Sequence, residues 1–166
     1  MAQSTITSHT IAVEHMSDTQ TRAVFDEIRD WFFEAYIPTW VAAGAESEAD
    51  PRSVLDYWGV PMHAANPNVN RWLMTEEEVL GLLSEIQKPL KTKRYSHTKV
   101  LDRHITFYND GAASADVIWS RRRADEVEIE RRAVHFEIRA VDSGWRIISL
   151  ASLHTDKTSL ADVFAA

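Results

Sequence analysis

Ser143-Gly144-Trp145-Arg146-Ile147 closes the stretch that decides the fold of this chain. From about Tyr95 to His154 the sequence reads as four consecutive strands, at roughly 96–108, 112–123, 127–141 and 145–154. Asn109-Asp110-Gly111 and Asp142-Ser143-Gly144 supply the hairpin turns. In the second strand Ala113, Ala115, Val117 and Trp119 alternate with Ser114, Asp116 and Ser120, so one face is apolar and the other polar. The last strand, Trp145 to Leu153, is apolar on both faces. Both faces then need a cover, helices on one side and a partner subunit on the other.

Helices come before this sheet. Ser17-x-x-Gln20 fits a capping box, and Phe25, Ile28, Phe32 and Tyr36 form one apolar stripe after it. Pro38 cannot donate to the carbonyl of Glu34, which predicts a kink or a stop. Gly44 to Asp50 reads as a polar loop, and Asp50-Pro51 starts a short helix to about Asp56. Tyr57 to Met74 carries two prolines and reads as an edge strand or a hairpin turning at Asn66-Pro67-Asn68. Thr75-Glu76-Glu77-Glu78 is a second capping box, and Pro89 is expected to end its helix. The division is a loose arm over 1–16, one α+β domain over 17–154 and a C-terminal tail over 155–166.

Composition excludes several functions. The chain has 166 residues, a net charge of −7 and no cysteine. Its negative charge argues against nucleic acid and against an anionic membrane surface. Disulfides, thiolate nucleophiles and cysteine-ligated zinc are ruled out. The first residues lack the basic flank and apolar core of a signal peptide, and no apolar run approaches the ~20 residues of a membrane span. A cytoplasmic protein is expected. The seven histidines show no His-x-His pair and no HExxH, so no metal is expected. No cofactor is expected either, because Gly-rich phosphate loops are absent.

The order of elements, Leu55-Asp56-Tyr57-Trp58 leading into the first strand, and the closing Gly144-Trp145-Arg146-Ile147 together resemble the nuclear-transport-factor-2-like (NTF2-like) superfamily. The resemblance covers about residues 18–154. That superfamily includes ketosteroid isomerase, scytalone dehydratase and the SnoaL-type cyclases. It implies a cone, in which a curved sheet wraps a long helix around a pocket, and often a homodimer through the outer sheet face. Its enzymes are usually cofactor-free acid–base catalysts, while other members only bind ligands or act as adaptors. Laid on ketosteroid isomerase, the segment 55–64 puts His63 at the general-base position and makes Tyr36 the nearest match to the oxyanion-hole tyrosine. The second oxyanion acid falls on Val134, so steroid-isomerase chemistry does not carry over.

Each candidate residue also has a plainer reading. His63 is a proton acceptor suited to neutral pH, or a surface histidine. Tyr36 donates to an oxyanion, or simply finishes its core stripe. Asp102 and His104 share a strand face, as a coupled pair or as a solvated one, and His97 is expected on the opposite face. Trp119 and Arg121 follow the apolar face, where Arg121 could hold a carboxylate, phenolate or enolate oxygen. The remaining charges of Arg121–Arg123, Asp125–Glu130 and Arg131–Arg132 read as pairs on a solvated surface. Trp40, Tyr57 and Trp58 could stack on an aromatic ligand at the pocket entrance, or fill the core. The expected function is an acid–base isomerase, dehydratase, cyclase or lyase acting on a small aromatic or polyketide-like molecule. The alternative is a non-catalytic ligand-binding or adaptor protein of the same fold.

Overall fold

The structure, a computed structural model, describes residues 18–46 and 49–165. The expected arm over 1–16 and the Ser17 half of the first capping box lie outside the described residues. Helix α1 (Asp18–Asp30) runs into a π-helical stretch (Trp31–Tyr36) and then α2 (Ile37–Ala45). Pro38 therefore does not stop the helix. The π-helical stretch moves the acceptor back one residue, so Ile37 N–H reaches Phe32 O. The missing proline donor is absorbed there, and Thr39 Oγ1 donates to Ala35 O at 2.9 Å across the same turn. Gly44 and Ala45, expected in a loop, still belong to α2.

A 3-10 helix (Pro51–Asp56) follows, capped by the Asp50 carboxylate on Arg52 N–H. It leads to the hairpin β1 (Trp58–Asn66) and β2 (Val69–Leu73). Helix α3 (Glu76–Thr92) has the full capping box between Thr75 and Glu78. It passes through Pro89 instead of ending there. Pro89 and Glu85, whose carbonyl loses the bond, are both exposed in the last turns, so water can replace the missing donor. Gly44 lets α2 and α3 approach: a Cβ there would lie 3.2 Å from both Gln87 Nε2 and Tyr95 Cε1. Buried Gln87 uses that proximity to donate to Trp40 O at 3.1 Å.

The four long strands are β3 (Tyr95–Asn109), β4 (Ala112–Arg123), β5 (Glu128–Val141) and β6 (Gly144–His154). Strand order is β2-β1-β6-β5-β4-β3, with β1 and β6 parallel and every other pair antiparallel. The sheet is mixed, curved and unclosed. Its curvature has a visible source, because register shifts interrupt the β1–β6, β3–β4, β4–β5 and β5–β6 ladders at six places, three of them between β3 and β4. Gly144 opens the last strand at φ +106°, a conformation that side chains disfavour. Next to it, Trp145 Nε1 donates to Glu27 Oε1 at 2.9 Å, tying the end of the sheet to α1.

The inner sheet face packs on the helices. Phe136 is buried against Phe32 at 5.2 Å, Trp119 at 5.5 Å and Tyr36 at 6.0 Å between ring centres. On the outer face the tail folds back over the sheet. Thr155 N–H donates to Arg131 O at 3.2 Å, Arg131 Nη1 donates to Asp156 O at 2.8 Å, and Leu160 N–H, at the start of helix α4 (Leu160–Val163), donates to Asp102 Oδ2 at 2.7 Å. The chain itself thus covers part of the outer face of β4, where Ile118 and Ser120 are fully buried, while Leu153 of the last strand stays exposed. No helix among the described residues is long and apolar enough to cross a membrane.

Phe136→Ala should cost about 3–5 kcal/mol, because it empties the meeting point of three rings. Urea unfolding followed by circular dichroism measures this, and a loss near that of an exposed-site substitution would contradict the packing described.

Candidate functional site

Period-2 alternation places every second residue of β4 and β5 on the inner face, and the aligned pairs Val117–Val134 and Arg121–Glu130 fix which ones. Between these strands, the helices and the β1–β2 hairpin lies a cavity of about 280 Å³. Its deep end is formed by Tyr36, Trp40, Trp58, Trp119, Val134 and Phe136, all buried. Its rim includes exposed Asn68, Glu85, Pro89 and Lys93. The size suits a small molecule, at the low end of the usual ~300–1,000 Å³.

The aromatic wall has its own internal bonding. Trp58 Nε1 donates to Tyr36 Oη at 3.1 Å. Burial pushes the Tyr36 hydroxyl well above its ordinary value, only partly offset by Trp58 and the nearby Arg121 charge. Tyr36 is therefore a neutral hydroxyl at physiological pH, able to donate a hydrogen bond but unable to serve as a base. Trp119 is 6% exposed, and its Nε1 is buried with no hydrogen-bond partner.

The polar wall is a row of three charges. Arg121 Nη1 pairs with Glu130 Oε1, and Arg132 Nε reaches the same oxygen at 3.3 Å. The Arg121 guanidinium also lies over the Trp40 ring at 4.4 Å. Arg132 is bonded at every nitrogen, since Nη1 also meets Ser152 Oγ at 3.3 Å and Nη2 meets His154 Nε2 at 2.9 Å. Desolvation would raise the Glu130 carboxyl, but the two guanidinium charges outweigh it and hold the group below the usual carboxylate range. Burial lowers Arg121, with Glu130 acting in the opposite sense.

The expected site residues separate into two groups. Tyr36, Trp40, Trp58, Trp119, Arg121 and Val134 come together around the cavity. Tyr57 does not line it; half-buried, it packs on Trp31 and Tyr36, each at 5.7 Å. His63 also lies away from the cavity. Its neighbours Met62 and Ala64 point into the core, so His63 takes the outer face. There it contacts exposed Trp72 at 5.1 Å, and Nε2 shares a hydrogen bond with Asn70 Oδ1 at 3.0 Å. Asp102 and His104 do share a face, but it is the outer one, opposite Ile118 and Asp116. Asp102 is occupied in capping the tail at Leu160 N–H. A bulge between Val100 and Asp102 reverses the alternation of β3, so His97 falls on the same face as His104, not the opposite one.

Glu130, Arg132, Phe136 and Ser152 line the cavity without having been expected there. A signal existed for three of them. Glu130, Arg132 and Phe136 lie at even spacing from Val134, which the family resemblance put at the site, so period-2 alternation from it would have placed them inside too. The charge cluster in fact divides between faces. Arg121, Glu130 and Arg132 face the cavity, whereas Glu128 meets Ser120 and Arg131 on the outer side. His135 lies on that outer side as well, between Asp116 at 2.8 Å and Glu137 at 3.2 Å. Desolvation opposes its protonation, and the two carboxylates overcome that and raise it. Among the described residues, no group of three or more histidine or carboxylate side chains could hold a metal ion.

A helix-filled open sheet with a blind cavity between is the architecture of NTF2-like proteins. The family model described as NTF2-like protein (DUF6841) matches residues 26–155, and the chain belongs to that family. Solved structures share the fold at low identity. An NTF2-like protein with a cystatin-like fold from Novosphingobium aromaticivorans is 14% identical, with a TM-score of 0.61 over 87% of this chain and 93% of its own. A domain of unknown function from Nostoc punctiforme is 16% identical, with a TM-score of 0.58 over 86% and 83%. A protein provisionally assigned as a ketosteroid isomerase, from Parabacteroides distasonis, is 13% identical, with a TM-score of 0.53 over 72% and 85%. No curated protein matches this chain by sequence.

Glu130 also gives the site a pH signature. Its folded value is lowered, so its stabilising contribution is present above the unfolded carboxylate value of about 4.3 and is lost as pH falls through the lower folded one. Glu130→Gln should reduce stability near pH 7 and flatten the acid limb below about pH 4.3. Urea midpoints measured from pH 7 down to pH 3 test this, and an unchanged acid limb would contradict the pairing.

Proposed function

We propose that this chain is a ligand-binding NTF2-like protein whose cavity receives a small aromatic or polyketide-like molecule. One observation carries this reading: aromatic rings from the long helix, β1, β4 and β5 line the deep end, while no histidine among the described residues lines the cavity. Flat faces of Trp40, Trp58 and Trp119 offer the apolar area and ring geometry that planar ligands use.

Acid–base catalysis of the isomerase or lyase type fits this geometry less well. It would need a group in the cavity that exchanges a proton near neutral pH. The carboxylates of the lining are Glu85, exposed at the rim and paired with Arg71 at 3.3 Å, and Glu130, held ionised by two arginines. A carboxylate stabilised in this way is a weak base. The outer-face His63, Asp102 and His104 cannot reach a ligand in the cavity without rebuilding the sheet. A cytoplasmic location and a homodimer remain compatible with this function. The back-folded tail narrows the outer surface open to a second copy.

Calorimetric titration with the neutral bicyclic probe 2-naphthamide tests the proposal. Wild type should bind one equivalent. Ser152→Trp, which fills the half-exposed cavity wall, should weaken binding about tenfold or more, some 1.4 kcal/mol, and His63→Ala should leave it unchanged. Binding insensitive to Ser152→Trp, or abolished by His63→Ala, would place the ligand elsewhere and overturn the proposal.

A further inference from the structure

The charge balance of the cavity wall says what kind of ligand it takes. Arg121 and Arg132 together face one carboxylate, Glu130, so the wall carries one excess positive charge. These groups are not solvated surface charges: the side chains of Arg121 and Glu130 are 8% and 16% exposed. Burying an ion triad costs desolvation energy that mutual attraction repays only in part, and a net charge left inside makes the balance worse. The rim does not offset it. Glu85 is paired with Arg71, outside the lining, while Lys93 on the same rim has no carboxylate partner among the described residues.

Each of the three Arg132 nitrogens already makes a hydrogen bond, to Glu130, Ser152 and His154, which holds the group in place. Arg121 differs. Only its Nη1 is bonded, to Glu130, and its plane is fixed by the Trp40 ring beneath it. Its Nε and Nη2 make no hydrogen bond with protein among the described residues, leaving a rigid planar edge of donors. Two residues along β4, on the same face, the indole Nε1–H of Trp119 is buried in the cavity wall and also without a partner. A buried donor left unpaired costs about 1–3 kcal/mol, and an acceptor group of a ligand in the cavity would relieve that cost.

Resting on the ligand-binding reading above, we propose that the ligand is a small aromatic carboxylate. Its rings lie among Trp40, Trp58 and Phe136, and its carboxylate takes the free edge of Arg121 together with Trp119 Nε1–H. The ligand's single negative charge cancels the excess charge of the wall. Lys93 at the rim favours the approach of an anion.

Calorimetry at pH 7 with an isosteric pair, 2-naphthoate and 2-naphthamide, tests the proposal on the full chain. Wild type should prefer naphthoate about tenfold or more, since the amide cannot neutralise the wall and sets an N–H against its donors. Arg121→Gln should erase the preference while still binding the amide. If that variant does not fold, Glu130→Gln decides: removing the competing carboxylate should enlarge the preference for naphthoate. Equal affinity of the two probes for wild type, or an unchanged preference in Glu130→Gln, overturns the carboxylate assignment and leaves the cavity reading standing. Failure of both probes to bind overturns both.

Discussion

Phe136 sits where the long helix crosses the sheet, and its ring touches Phe32, Tyr36 and Trp119 at once. This contact sets the distance between the helical layer and the inner sheet face. Everything in the cavity is placed relative to it. Trp119 is held beside Phe136, Tyr36 is held below it, and Trp58 is drawn in by its hydrogen bond to Tyr36. The empty volume lies beyond this cluster, where the wall changes along β5 from Phe136 and Val134 to Arg132 and Glu130. Apolar packing therefore provides the fixed frame, and the charged end of the same strands faces the remaining space.

That change of character along one strand has an energetic meaning. A core made only for stability would continue the apolar row, since well-packed hydrophobic residues often match or exceed a buried ion pair. Instead, β4 and β5 place Arg121 opposite Glu130 with Arg132 alongside. The pairing holds Glu130 ionised and Tyr36 stays neutral, so both groups have a fixed protonation state near neutral pH. Under the proposed reading such a wall offers a ligand fixed charge and shape, whereas moving protons would require a group that titrates where it works. The family allows either role, because its fold is shared by isomerases and by proteins without catalysis.

The outer face is organised by different contacts. His135 between Asp116 and Glu137, Glu128 among Ser120, Arg122 and Arg131, and Asp102 on the tail form a polar layer behind the cavity. The histidines and carboxylates with the most reactive chemistry on paper are thus used to pair strands and to hold residues 155–160 against the sheet. Behind this layer Ile118 of β4 and Ala133 of β5 are buried, whereas Ala151 and Leu153 of β6 stay exposed.

The sequence by itself determined what depends on near neighbours along the chain. It set the four long strands, the turn at Asn66–Asn68, both ends of α3's capping box, and the alternation that carried Trp119 and Arg121 inward together, while Val134 was reached through the family resemblance. Tyr36, Trp40 and Trp58 were also legible, as aromatic residues of a helix stripe and at the first strand's start. Tertiary structure alone decided which of two possible faces each polar residue occupied. Met62 and Ala64 packing inward turned His63 outward, and the bulge after Val100 brought His97 to the side of His104. It also decided that Arg121 would be buried, and Glu130 and Arg132 half-buried, instead of solvated. Alternation is a local property of the extended backbone. The choice of face depends on bulges and on what packs against the sheet from distant parts of the chain, and one inserted residue reverses it.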